Sequence, residues 1–133
     1  MATIARKFLV ASLIYLVLGL LAQAVTVFDT WLGFNPLAYT ALISTEQTLL
    51  VGWLTQLGMA LMYDRRSSYG SMRGLVVLTL LNIGLPLTII GQPGLIMLGG
   101  RWLGPVAAVG ALLQLFAGVV FVYDMAKSFK ENA

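Results

Sequence analysis

The chain reads as four apolar runs separated by short polar connections. The first, residues 8–27, is uncharged throughout. At about 1.5 Å per helical residue it matches a hydrocarbon core of about 30 Å. The second, 41–63, opens on the polar stretch Ser44-Thr45-Glu46-Gln47-Thr48 before turning apolar. The third, 74–91, contains Asn82 and Pro86; the fourth, 105–125, has Gln114 near its centre and Asp124 at its end. Nothing alternates with period two over about ten residues, so a membrane barrel does not fit. The pattern predicts an all-α integral membrane four-helix bundle, one domain over residues 1–133. Pro86 should kink the third helix, and residues 92–104, with Pro93, read as the connection to the fourth.

Composition agrees. Of 133 residues, 59% are apolar and 10% charged, and the mean hydropathy is +0.92. A soluble domain runs about 45–50% apolar and about 25% charged. A small chain cannot hide so much apolar surface from water by folding alone, so the bilayer is the expected solvent. The chain has no His and no Cys. That removes imidazole acid–base chemistry, thiol nucleophiles, disulfides and the usual zinc sites.

Charge placement predicts orientation. Arg6 and Lys7 precede the first run, Arg65, Arg66 and Arg73 lie between the second and third, and Lys127 and Lys130 follow the fourth. With four spans these seven share one side, against Arg101 alone on the other. The positive-inside rule then places both termini in the cytoplasm, with Trp31 and Trp102 at the outer interface. A bacterial inner membrane is the expected location. The basic positions lack interleaved aromatics, so nucleic acid is not an expected partner. Arg6-Lys7, the first run and Ala22-Gln23-Ala24 imitate a signal peptide, but the run exceeds a typical h-region and reads as a retained span.

Polar residues within spans carry the candidate chemistry, because burying them in lipid is costly. Gln56, Asn82 and Gln114 fall at middle depths; Gln23, Glu46 and Gln47 lie in the outer part. Amides donate and accept hydrogen bonds but do no acid–base work at neutral pH. Two readings follow. The amides hold helices together, or Gln47, Trp53, Gln56, Asn82 and Gln114 line a site for a quinone, pigment or lipid headgroup. Glu46 reads as an interfacial carboxylate near a helix N-terminus. A transporter usually needs more than one intramembrane ionisable group, and nothing near Ser44 or Thr48 except Glu46 could activate a nucleophile. No catalytic residue and no metal ligand is expected. Gly104, Ala107, Ala108, Ala111 and Gly118 give the fourth helix small residues for close packing, without a strict GxxxG pattern.

The string at 47–65, QTLLVGWLTQLGMALMYDR, resembles a helix of small membrane proteins related to the catalytic subunit of heme–copper oxidases and nitric oxide reductases. Val51-Gly52-Trp53 and Thr55-Gln56 carry the likeness, joined by Leu81-Asn82-Ile83-Gly84-Leu85, Pro93, Leu112-Leu113-Gln114-Leu115 and Phe121-Val122. The family's two histidines would fall on Thr45 and Gln47, neither of which replaces imidazole on iron. The resemblance therefore implies a scaffold without haem ligands, with no cofactor held covalently or through His or Cys. It points to an accessory subunit in respiratory or photosynthetic electron transfer, whose partners are other integral membrane subunits and lipid.

Overall fold

The computed structural model describes residues 2–33, 44–65, 71–98 and 101–131. All secondary structure among them is helical. α1 is Thr3–Leu32. α2 runs over residues 44–64 and changes winding on the way: a turn at 44–47, a π-helical stretch Thr48–Thr55, then regular α-helix Gln56–Asp64. α3 is Ser71–Leu98 and α4 is Leu103–Glu131. Three segments, Thr3–Leu32, Met72–Gly94 and Leu103–Glu131, are long and apolar enough to cross a membrane. Residues 41–43 of the expected second span lie outside the described residues, as do Arg66, residues 34–40 between the first two spans and residues 99–100 of the expected connection at 92–104.

The helices outrun the apolar windows, because an apolar run marks hydrocarbon and not the end of a helix. α1 begins before Arg6 and Lys7 and continues through Asp29 to Leu32. It stops at Gly33, whose left-handed backbone (φ 68°) turns its N–H back onto the Asp29 carbonyl at 2.9 Å. Glycine adopts that conformation without a Cβ penalty.

The expected break at Pro93 does not occur: α3 runs through both Pro86 and Pro93 to Leu98. A proline inside a helix leaves the carbonyl four residues earlier without its donor. For Pro93 that carbonyl belongs to Ile89, and the Ser44 hydroxyl of α2 donates to it at 3.0 Å. A neighbouring helix thus repairs the ladder, which is how membrane helices tolerate proline.

Two antiparallel hairpins build the bundle. α1 lies on α2: Tyr15 packs across Gly52, Leu49 across Gly19, and the Ala2 N–H donates to Asp64 Oδ1 at 3.1 Å. α3 lies on α4 still more tightly. A Cβ at Gly84 would come within 2.7 Å of the Gly110 carbonyl oxygen, and one at Gly110 within 2.6 Å of the Gly84 oxygen. About two and three turns further along α3, Gly91 rests on Ala107 and Gly94 on Leu103. Small residues let the backbones approach. Ala107 is among the small residues expected to pack; Gly110 is the closer contact, and Gly118 faces open space.

The hairpins meet through a core at one end. Phe8 stacks on Tyr63 (centroids 5.4 Å apart) and Tyr63 meets Phe121 edge-on at 5.8 Å. Ala5, Met59, Ala60, Val77, Leu81 and Ala117 fill in around them. The start of α1, end of α2, start of α3 and end of α4 therefore share one end of the bundle. That end carries Arg6, Lys7, Arg65, Arg73, Lys127 and Lys130, while Arg101, Trp31 and Trp102 occupy the other.

The glycine contacts generate a matched test. Gly110→Ala should cost about 1–3 kcal/mol, because its Cβ meets backbone that cannot yield. Gly58→Ala, where nothing lies within 4 Å, should gain roughly 0.5–1 kcal/mol through helix propensity. Denaturation midpoints in detergent read both.

Candidate functional site: the interhelical amides

Four amide side chains of α2 and α3 are brought together in pairs by the fold. Gln56, fully buried, faces Asn82. Each amide donates to the other, Gln56 Nε2 to Asn82 Oδ1 at 3.4 Å and Asn82 Nδ2 to Gln56 Oε1 at 3.3 Å. These are long bonds. Asn82 Nδ2 also donates to its own helix at Leu78 O, at 2.8 Å. Nearer the other end, Gln47 Nε2 donates to Gln92 Oε1 at 2.8 Å, one turn from the Ser44–Ile89 bond.

Both pairs on one helix face require the unusual winding of α2. Gln47 and Gln56 are nine residues apart. At about 3.6 residues per turn, nine steps make about two and a half turns and put the two amides on opposite faces. The i→i+5 winding of Thr48–Thr55 spends more residues per turn, so the same nine steps complete about two turns. Both amides then face α3. Burial records the change of period: Thr48, Gly52 and Gln56 are buried at a spacing of four through the π stretch. Gln56, Met59, Ala60 and Tyr63 follow the ordinary three-and-four spacing beyond it. Gly52 sits mid-stretch and admits Tyr15. The Thr55 hydroxyl donates to Leu50 O, five residues back, at 2.8 Å.

The five residues singled out from sequence divide among different partners. Gln47 and Gln56 each take a partner on α3. Gln114 turns to the α3–α4 seam, where its Nε2 donates to Thr88 Oγ1 at 2.8 Å. Thr88 in turn donates to Leu85 O at 2.8 Å. Trp53 is partly exposed on α2. Gln114 also edges an open groove of about 580 Å³ on the outer face of α4, with Leu115, Gly118, Val119, Val122 and Tyr123. Glu46 is exposed. The Gln47 Oε1 atom is buried and accepts no hydrogen bond from the described residues.

Sequence reasoning missed Gln92, Thr88 and Ser44 as partners. Gln92 lay just past the apolar window, although its place after Gly91, ahead of Pro93, was readable. Thr88 and Ser44 carry hydroxyls, which a helix often satisfies on its own carbonyls. The ion pair Arg73–Asp124 was also invisible. It closes the α3–α4 hairpin at 3.1 Å, with Asp124 nearly buried and Arg73 lying 5.7 Å from the Tyr123 ring centre. The buried Tyr63 hydroxyl faces the same carboxylate.

Among the described residues no group of three or more acidic side chains gathers into a cation site. Comparison with models of known protein families, with curated proteins and with solved structures finds no match.

The pairings generate a double-mutant cycle. Gln56→Leu and Asn82→Leu should couple by about 0.6–1 kcal/mol, the range for interhelical bonds of this kind. Gln56→Leu with Gln114→Leu should be additive, since they share no partner. Unfolding free energies in detergent give both values.

Proposed function

We propose that the protein is a non-catalytic helical subunit of a larger membrane complex, inserted with both termini in the cytoplasm. The observation that carries this reading is the internal use of the amides. Gln47, Gln56, Asn82 and Gln114 all bond to side chains of this chain, which suits a rigid packing element better than a reaction chamber. The clustering of basic residues at the end shared by the termini supports the orientation. An electron-transfer complex of a bacterial plasma membrane is the setting implied by the resemblance to oxidase-related proteins, and the comparisons with known proteins add nothing to it.

The partner contributes a transmembrane helix, and its seat is the α4 groove. Gln114 borders that groove, whose remaining lining is almost wholly apolar, as suits packing against an incoming helix. Gly118 has no atom within 4 Å of a would-be Cβ, which leaves room for close approach.

A second reading, a quinone- or pigment-binding module, rests on Gln47 Oε1. This buried acceptor, without a donor among the described residues, would suit the hydroxyl of a quinol.

Purification from native membranes in mild detergent tests the main reading. The wild-type chain should co-migrate with other membrane subunits. Gly118→Trp, which fills the groove without touching the bundle, should release them while keeping its own melting midpoint. A wild-type chain recovered alone, or a Gly118→Trp chain that keeps its partners, would refute the proposal.

A further inference from the structure

We propose that the basic end of α1 holds one anionic diacyl phospholipid, its phosphate on Arg6 and Lys7 and an acyl chain along the outer face of the helix. This site lies away from the α4 groove and does not depend on a partner there.

Periodicity builds the site. The inward face of α1 is a narrow stripe: Ile4, Ala5, Phe8, Ser12, Gly19 and Thr26. Residues 3, 6, 7, 10 and 14 recur at helical spacing on a different face, and all are exposed. There a shallow, open depression of about 380 Å³ on the face of α1 runs from Thr3, Arg6 and Lys7 down to Val10 and Ile14. It continues into a second hollow of about 430 Å³ that shares Val10 and Ile14 and reaches Leu18. The wall below the two cations is apolar.

Length and charge identify the occupant. From Lys7 to Leu18 is 11 residues, about 16 Å of helix. That is about half of a 30 Å hydrocarbon core, the depth one acyl chain reaches. A peptide helix would need no cation at the top of such a depression, and a free anion would need no apolar wall below it. A cleft of about 140 Å³ between α1 and α3, lined by Ile4, Met72 and Leu75, opens on the same Thr3 and Lys7. It receives the start of the second chain.

The cations here are free to take a phosphate. At the same end Arg73 is committed to Asp124 at 3.1 Å and Lys127 to Glu131 at 3.7 Å. Arg6 and Lys7 form no ion pair among the described residues. Guanidinium and ammonium donors both bind phosphate oxygens through charge-assisted hydrogen bonds, and basic pockets on membrane helices recognise anionic headgroups in this way.

Native mass spectrometry of the full chain in detergent, titrated with phosphatidylglycerol and with phosphatidylcholine of identical acyl chains, tests the proposal. One phosphatidylglycerol should bind about thirtyfold more tightly than phosphatidylcholine, from two cations at the surface. The Arg6→Gln, Lys7→Gln double variant should abolish the preference. The Lys127→Gln, Lys130→Gln variant, which removes equal charge from the same end, should keep it. Ile14→Trp, which fills the depression, should weaken both lipids, and glycerol phosphate alone should fail to displace bound lipid. Equal affinity for the two lipids would overturn the proposal. So would equal losses in the two charge variants, unchanged binding by Ile14→Trp, or displacement by glycerol phosphate. Melting midpoints of each variant confirm that folding is unaffected.

Discussion

A polar group placed in hydrocarbon has no water to turn to, so its hydrogen bonds must come from the protein. In this chain that constraint reaches into the backbone. α2 carries Gln47 and Gln56 at a separation that a regular helix would send to opposite faces. The winding of Thr48–Thr55 changes, and both amides meet α3, at Gln92 and Asn82. The same constraint explains Ser44, whose hydroxyl takes the Ile89 carbonyl left without a donor by Pro93. Three polar contacts at successive depths join the hairpins, each supplying what its neighbour lacks.

Close backbone approach is the second support, and it works within hairpins more than between them. Lipid competes with apolar side chains on equal terms, so helix association relies on packing density. Gly84 against Gly110 and Gly91 against Ala107 bring α3 and α4 into backbone contact. Gly19 and Gly52 seat Leu49 and Tyr15 in the other hairpin. Between the hairpins the aromatic group Phe8, Tyr63 and Phe121 closes one end. Each amide pair adds only about a kcal/mol, so the pairs select which faces meet while packing supplies the attraction.

The all-α class, the four helices and the polar positions were legible in the sequence, because hydropathy records the solvent directly. Helix ends were not. Arg6, Lys7 and Asp29 lie outside the apolar window yet inside α1, and Pro93 lies inside α3. At Pro93 the helix continues because the Ser44 hydroxyl takes the carbonyl left without a donor, which no local pattern displays. Of the two readings of the amides, bonds between helices or a shared site, the geometry shows bonds, with Gln47 and Gln114 each taking a separate partner. Gln56, Asn82 and Gln114 are legible as amides at middle depths, but the pairing of the first two is not. The reason is rotational: depth follows from residue counting, whereas facing depends on winding, and α2 departs from the winding that counting assumes. Gly110 was overlooked among the small residues of α4 because its importance comes from Gly84 across the seam.

Two single-residue deletions test most directly whether the amide pairs account for the winding of α2. Leu50 and Leu61 are equally exposed leucines, at 58% and 57%, one in the π stretch and one in the regular helix. Removing Leu50 leaves Gln47 and Gln56 eight residues apart, a little over two turns of ordinary helix, so both amides still face α3. Removing Leu61 rotates Tyr63 and Asp64 away from Phe8 and Ala2. If the account holds, the Leu50 deletion costs at most about 1 kcal/mol and the helix becomes regular, while the Leu61 deletion costs about 3 kcal/mol or more. Equal losses, or a greater loss from deleting Leu50, would contradict it.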